Sequence, residues 1–127
     1  MPVLAATATW ALIAAPAALA QEGLFGSRTR FTEPTGEAIY RGVCAGCHMP
    51  DGVGAEGAGR YPALAHDPRL AAAAYPIQTV LRGRGGMPPF ERLLTDEQIA
   101  AVVGYVRQSF GNEFGPPPSA RDVQALR

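Results

Sequence analysis

The chain has 127 residues, which is enough for one domain but not for two independent hydrophobic cores. Eleven Arg residues balance eleven Asp and Glu residues, and this zero net charge disfavours binding to nucleic acid or anionic lipid. Two cysteines cannot build a disulfide scaffold, so a core of this size needs another source of stability.

The first twenty residues contain no charged side chain, and we predict that they are an export signal and not part of the fold. The segment ends in Ala-Leu-Ala at residues 18–20, which fits a signal-peptidase site. A retained membrane anchor is the alternative. The nearest cations, Arg28 and Arg30, lie C-terminal to the segment, whereas an anchor with an exported domain would prefer cations before it, so cleavage is favoured. We expect residues 21–32 to be an extension, and the domain after it to lie in the bacterial periplasm.

The first predicted helix runs from about Gly36 to Gly46, with Thr35 as its N-cap. It leads into Cys44, Cys47 and His48, and this C-x-x-C-H arrangement is the attachment signature of c-type haem. Positions i, i+3 and i+4 lie on one face of a helix. Two thiols can therefore bond to the haem vinyl groups while the adjacent imidazole ligates the iron.

Other interpretations of the cysteine pair are weaker. A structural disulfide or a thioredoxin-like redox pair would use Cys44 and Cys47, but the redox pair expects a βαβ pattern that the sequence lacks. A zinc site needs four ligands, and beyond the motif the sequence offers only His66 and carboxylates.

A six-coordinate haem iron needs a second axial ligand, and the sequence offers Met87 and His66. Met49 directly follows the haem histidine and lies on that side of the haem, so it cannot reach the other face. Met87 lies in a loop whose glycines allow a close approach to a flat ligand and whose prolines stiffen the exit. The alternative role for Met87 is to fill a core gap. We favour Met87 as the ligand and interpret His66 as a solvated loop residue.

The rest of the chain is also predicted to be helical. Three helices are expected, at residues 69–74, 76–82 and from the capping box at Thr95 to Gly111. No strand pattern is found. The predicted fold class is therefore all-α, a small domain of about four to five helices around one covalently bound haem.

The C-terminal segment, residues 112–127, is rich in proline, and Ser119 is expected to cap a last turn or two through Leu126. It either lies on its own domain or forms a docking arm for a partner, and the sequence does not choose between the two.

Residues 33–111 resemble a class I cytochrome c, a monohaem electron-transfer domain. Besides the haem motif and the Gly-Met-Pro loop, the resemblance rests on Gly36 with Tyr40, on Tyr-Pro-Ala-Leu at residues 61–64 and on the last amphipathic helix. It implies that the carbonyl of Pro62 accepts the Nδ1 hydrogen of His48 and so orients the imidazole.

The resemblance also implies that Gly36 and Tyr40 meet Val102 and Tyr105 where two helices cross. Two departures from the family pattern stand out. Met49 occupies a position where relatives often carry glycine, and the only tryptophan lies in the export segment. Haem propionates would therefore be met by a tyrosine or by one of three arginines, which are Arg60, Arg82 and Arg84.

The resemblance implies a carrier of single electrons, not an enzyme, with one haem c and with His48 and Met87 as axial ligands. The implied partners are a dehydrogenase as donor and an oxidase or another cytochrome as acceptor, without nucleic acid; membrane contact is limited to the N-terminal segment or a membrane-bound partner. One alternative is a subunit permanently bound to a dehydrogenase or oxidase. The other is a haem enzyme or gas-binding protein with an open iron site.

Overall fold

The computed structural model describes residues 31–57 and 59–127, and the predicted export signal lies outside them. Helices are the main regular structure of the described part, which has about four helices and little strand. Its α-helical pieces are α1 (Gly36–Ile39), α2 (Ala45–His48), α3 (Ala74–Arg82), α4 (Asp96–Gln108) and α5 (Ala120–Gln124).

The first helical run is longer than the sequence predicted. A π-helix over Tyr40–Cys44 joins α1 to α2, so the run continues unbroken from Gly36 to His48. Thr35 caps it as expected, accepting a hydrogen bond from the backbone N–H of Ala38. The predicted end at Gly46 is therefore wrong by two residues. Cys47 and His48 lie inside the helix and are held by its geometry.

The next two helices differ from the prediction in their bounds. The expected helix at residues 69–74 is instead a short 3₁₀ helix, Pro68–Ala71, with Asp67 as its N-cap. The helix α3 begins two residues before Pro76 because the first turn of a helix leaves its N–H groups unused and tolerates proline. Gly83 follows α3 with φ +70°, which confirms its predicted place just past the helix end.

The helix α4 has the capping box that the sequence predicted. Thr95 accepts from the backbone N–H of Gln98, and the Gln98 side chain accepts from the backbone N–H of Thr95. The helix ends at Gln108, earlier than expected. Phe110 and Gly111 follow with φ values of +58° and +76°, which a helix cannot contain.

The expectation of no strands is wrong in one small place. Ala55–Glu56 and Arg60–Tyr61 form an antiparallel pair of two-residue strands after the haem motif. Strands of two residues are too short to produce an alternating pattern, so periodicity cannot predict them.

The helix α1 crosses α4 through Gly36. A Cβ at this position would overlap the carbonyl oxygen of Ala101 and lie within 2.9 Å of the Cβ of Tyr105, so only glycine allows this approach. The Tyr40 and Tyr105 rings pack with their centroids 5.5 Å apart. The predicted contact is therefore present at Tyr105, and the atoms nearest to Gly36 also include the Ala101 carbonyl.

The C-terminal segment lies on its own domain. Val123 of α5 is fully buried, and Pro117 packs over Gly104 of α4, where a Cβ would come within 2.7 Å of the proline side chain. Arg107 of α4 is 6% exposed, and its guanidinium donates to three main-chain carbonyls, those of Leu70, Ala71 and Pro116. Within the described residues, none of the helices is long and apolar enough to cross a membrane.

Candidate haem site

A cavity of about 440 Å³ lies inside the helical domain. This volume falls in the range of roughly 300–1,000 Å³ that is typical of small-molecule and cofactor sites. Much of its wall is apolar and comes from the helical run, from α3 and from α4, with Val43, Leu70, Val80, Val102, Val103 and Val106 among the lining residues. An apolar cavity of this size inside so small a domain suits a large, flat, apolar ligand.

The haem motif forms part of the cavity wall. Cys44, Cys47 and His48 all line it, and both cysteines are free thiols. Cys44 is half-buried and Cys47 is exposed. Burial, followed by the neighbouring Cys47, raises the pKa of the Cys44 thiol to about 11, so this thiol is protonated at neutral pH.

The imidazole of His48 is 8% exposed and is held by a single main-chain acceptor. Its Nδ1 lies 2.9 Å from the carbonyl oxygen of Pro62. Because a carbonyl can only accept, Nδ1 is the nitrogen that donates, and in the neutral ring the lone pair then lies on Nε2. The ring is thereby fixed in the tautomer that can ligate a metal through Nε2.

Gly54 allows the loop that carries Pro62 to lie this close to His48. A Cβ on Gly54 would overlap the carbonyl oxygen of Tyr61 and lie 2.8 Å from the carbonyl carbon of Pro62. The backbone N–H of Gly54 also donates to the carbonyl of His48 at 3.1 Å. The histidine and its acceptor are therefore held together by the same few residues.

Met87 lines the same cavity as the motif. Its loop is closed by two backbone hydrogen bonds of 3.0 Å between Met87 and Arg84. His66 is not among the described residues that line the cavity. Its ring packs directly on the α-carbon of Gly111, where a Cβ would overlap it. The structure thus brings Cys44, Cys47, His48, Pro62 and Met87 to one cavity and leaves His66 outside it.

The arginines at the cavity are not the set that the sequence proposed. Arg60 and Arg84 line the cavity, whereas Arg82 donates to the carbonyl of Leu126 in the C-terminal segment. Arg69 lines the cavity as well, and sequence reasoning missed it. The only sequence signal for Arg69 is its place two residues after a helix-capping aspartate, Asp67.

Asp67 and Arg69 form a close ion pair at the cavity wall. The Arg69 Nη2 lies 2.9 Å from Asp67 Oδ2, and the Asp67 side chain is 8% exposed. Burial acts to raise the pKa of Asp67, but hydrogen bonds from Arg69 and its charge outweigh burial, and the net pKa is lowered. Asp67 is therefore ionised at neutral pH.

Met49 has a backbone conformation that favours glycine. Its φ is +64° and its ψ is 155°. The Tyr40 hydroxyl donates to the Met49 carbonyl at 2.6 Å, and the Gly52 N–H donates to the same carbonyl at 3.1 Å. Burial, then the neighbouring Cys44, Tyr105 and Asp51, raise the pKa of Tyr40 to about 12, so its hydroxyl stays a donor.

A zinc site would need three or four ligand side chains close together. The described residues contain no group of three or more His, Cys, Asp or Glu side chains that could hold a metal ion. A helical domain built around an apolar cavity, with C-x-x-C-H in the cavity wall, is instead the architecture of a cytochrome c domain.

Comparisons with known proteins agree with this class. Residues 32–106 match the family described as cytochrome C oxidase, cbb3-type, subunit III. The chain belongs to the c-type cytochrome family, and the predicted family is confirmed.

Relatives from three dehydrogenases match most of the chain. The gluconate 2-dehydrogenase cytochrome c subunit of Pantoea cypripedii is 34% identical over 105 residues, covering 73% of this chain and 24% of the relative. The alcohol dehydrogenase (quinone) cytochrome c subunit of Gluconobacter oxydans is 32% identical, covering 72% and 22%. The fructose dehydrogenase cytochrome subunit of Gluconobacter japonicus is 33% identical, covering 68% and 21%. The chain thus spans less than a quarter of each of these relatives.

Proposed function

We propose that this chain carries single electrons through one haem c, bonded to Cys44 and Cys47 and ligated by His48 and Met87. The observation that carries the proposal is that these four residues line one apolar cavity and that the Pro62 carbonyl holds the imidazole in its metal-binding tautomer. The family match and the names of the relatives, which are cytochrome subunits of dehydrogenases, support the same function.

The residues present fit a covalently attached haem. The two free thiols are the groups that form thioethers, and an apolar cavity of about 440 Å³ can take up a largely apolar plate. A neutral imidazole nitrogen and a thioether sulfur are both established haem-iron ligands. Arg84 adds positive charge at the cavity wall, which suits the carboxylates of a haem.

Bound haem supplies an iron that gains or loses one electron. The protein residues determine how readily this happens. Met87 is a soft, neutral ligand that favours ferrous iron more than a second nitrogen would, which raises the reduction potential. The Pro62 carbonyl fixes the orientation of His48, and the apolar walls exclude water.

An open iron site is the weaker function. Peroxide chemistry generally needs an acid–base side chain beside the iron, for which the sequence offered His66. This residue packs on Gly111, away from the described cavity lining. If His48 and Met87 both ligate a bound haem, its iron would have no place for a substrate, and electron transfer would remain.

We further propose a dehydrogenase as the electron donor, because the relatives are named as cytochrome subunits of gluconate, alcohol and fructose dehydrogenases. An oxidase or another cytochrome would be the acceptor. Export by the N-terminal segment would place the domain in the periplasm, where c-type haem is attached. Intact-mass analysis of protein made with the cytochrome maturation machinery tests haem attachment and export, since it reports haem addition and removal of residues 1–20.

Optical spectra of paired variants test the ligand set. We expect Met87→Leu to abolish the weak sulfur-to-iron charge-transfer band of the oxidised protein and to allow carbon monoxide to bind the reduced protein. Met49→Leu removes the other methionine sulfur near the site and should leave the band unchanged. A band that survives in Met87→Leu, or a protein whose colour is extracted by acid-acetone, would refute the proposal.

A further inference from the structure

Residues 83–95, here called the Met87 loop, join α3 to α4, and the first part of the loop is well fixed by its own backbone. Gly83 donates to the carbonyl of Thr79 at 2.9 Å, and Phe90 donates to the carbonyl of Val80 at 2.9 Å. Between them, the two bonds of Arg84 with Met87 close the turn. This half of the loop is therefore held to α3 by hydrogen bonds.

The second part of the loop, residues 91–94, has weaker backbone support. The Glu91 N–H lies 3.3 Å from the carbonyl of Leu81, and the N–H groups of Leu93 and Leu94 both donate to the carbonyl of Phe90. The carbonyls of Glu91 and Leu94 accept hydrogen bonds from a side chain at the C-terminal end of the described residues. That side chain is Arg127.

Arg127 donates to three acceptors at residues 91–96, where the Met87 loop ends and α4 begins; this end is called the exit of the loop. Its Nη1 donates to the Glu91 carbonyl, its Nη2 to the Leu94 carbonyl at 3.2 Å, and its Nε to Asp96 Oδ1 at 2.7 Å. The Arg127 and Asp96 side chains are 29% and 23% exposed. A planar guanidinium suits this arrangement because its N–H groups form a rigid fork.

The C-terminal segment also contacts the entry of the Met87 loop. Arg82, the last residue of α3, donates to the Leu126 carbonyl at 3.1 Å. The segment itself is anchored by Val123, which is fully buried. It therefore bridges both ends of the loop that carries Met87, and it does so from a buried anchor.

We propose that Arg127 is a positioning residue for Met87. By tying the exit of the Met87 loop to α5, which Val123 anchors in the core, it reduces how often the loop opens and the thioether leaves the iron. This inference rests on the proposed function, since it requires Met87 to be an axial ligand.

Imidazole binding to the oxidised, haem-loaded protein tests the inference, because imidazole must displace Met87. In Arg127→Ala we expect the apparent association constant for imidazole to rise roughly five- to thirtyfold, as expected for the loss of one or two hydrogen bonds. Arg127→Lys keeps the charge near Asp96 but cannot reach all three acceptors, and should give a smaller rise.

Two controls separate loop opening from general loss of stability. Gln124→Ala changes an exposed residue of α5, and Ile39→Val weakens the buried core from the first helical run, outside the Met87 loop. Neither should change imidazole binding. Unchanged binding in Arg127→Ala, or an equal rise in Ile39→Val, would overturn the inference while the proposed function stands. A wild-type protein that binds imidazole as tightly as Met87→Leu would overturn the proposed function and the inference with it.

Discussion

Replacing Met49 by glycine should stabilise the protein, although it removes a partly buried side chain next to the haem histidine. Met49 has φ +64° and ψ 155°, a region that is almost exclusive to glycine. Holding another residue there costs about 1–3 kcal/mol. The conformation persists because the Met49 carbonyl accepts hydrogen bonds from Tyr40 and Gly52, so the backbone path cannot relax.

The size of the effect follows from comparing Met49→Gly with Met49→Ala. Both variants lose the methionine side chain, but only alanine keeps the Cβ that makes the conformation costly. Glycine adds freedom to the unfolded chain, which offsets about 0.4–1 kcal/mol of the gain. We expect Met49→Gly to be more stable than Met49→Ala by about 0.5–2 kcal/mol, a difference in Tm of roughly 2–15 °C for a domain of this size.

Thermal and urea unfolding of the haem-loaded variants, followed by far-UV circular dichroism, measure this difference. The haem absorbance should be unchanged in both variants because the His48 bond to Pro62 does not involve the Met49 side chain. If Met49→Gly were no more stable than Met49→Ala, the backbone at this position would not be strained, and the reasoning would be wrong.

Three further predictions concern stability and are read from unfolding curves. Gly36→Ala should destabilise the protein by about 2–4 kcal/mol because its Cβ overlaps the Ala101 carbonyl, whereas Gly42→Ala, with ordinary space around it, should be neutral or stabilising; equal effects would argue against the crossing. The pKa of Asp67 is lower in the folded protein than in the unfolded chain, so Asp67 stabilises the fold fully above its unfolded pKa of about 3.9, and this stabilisation is lost as the pH falls further. Asp67→Asn should therefore weaken the dependence of the free energy of unfolding on pH in this acid range. An unchanged pH dependence would refute the stabilising role of Asp67. Asn112→Ala should cost about 2–4 kcal/mol because this 2%-exposed amide bonds to three main-chain groups, and a loss below 1 kcal/mol would contradict that count.

The sequence predicted features that depend on local chemistry. The C-x-x-C-H motif, the capping box at Thr95 and the glycine after α3 are decided by neighbouring residues, and the structure has the cap and the glycine where they were expected. The bounds of the 3₁₀ helix and of the first helical run were not predictable in this way. They depend on tertiary contacts, such as the bonds that Arg107 makes to the carbonyls of Leu70 and Ala71.

The residues of the candidate site also divide into those that the sequence predicts and those that tertiary contacts place. The motif cysteines, His48 and Met87 are recognisable from residue type and loop composition. Arg69 was missed because its one sequence signal, a place two residues after the capping Asp67, does not indicate a cavity; the ion pair with Asp67 holds it there. Sequence reasoning could not fix the position of Arg82 either, because its acceptor, Leu126, lies 44 residues away.

Asn112 has a practical consequence for anyone who moves this domain into another protein. Its amide accepts from the N–H of Asp67 and donates to the carbonyls of Leu64 and Val106, so it joins the loop beside Pro62 to α4. A cut after residue 111, where the cytochrome resemblance ends, would discard this linkage together with α5. A transplanted version should therefore keep residues 112–127, and a flexible linker is better fused beyond them than in their place.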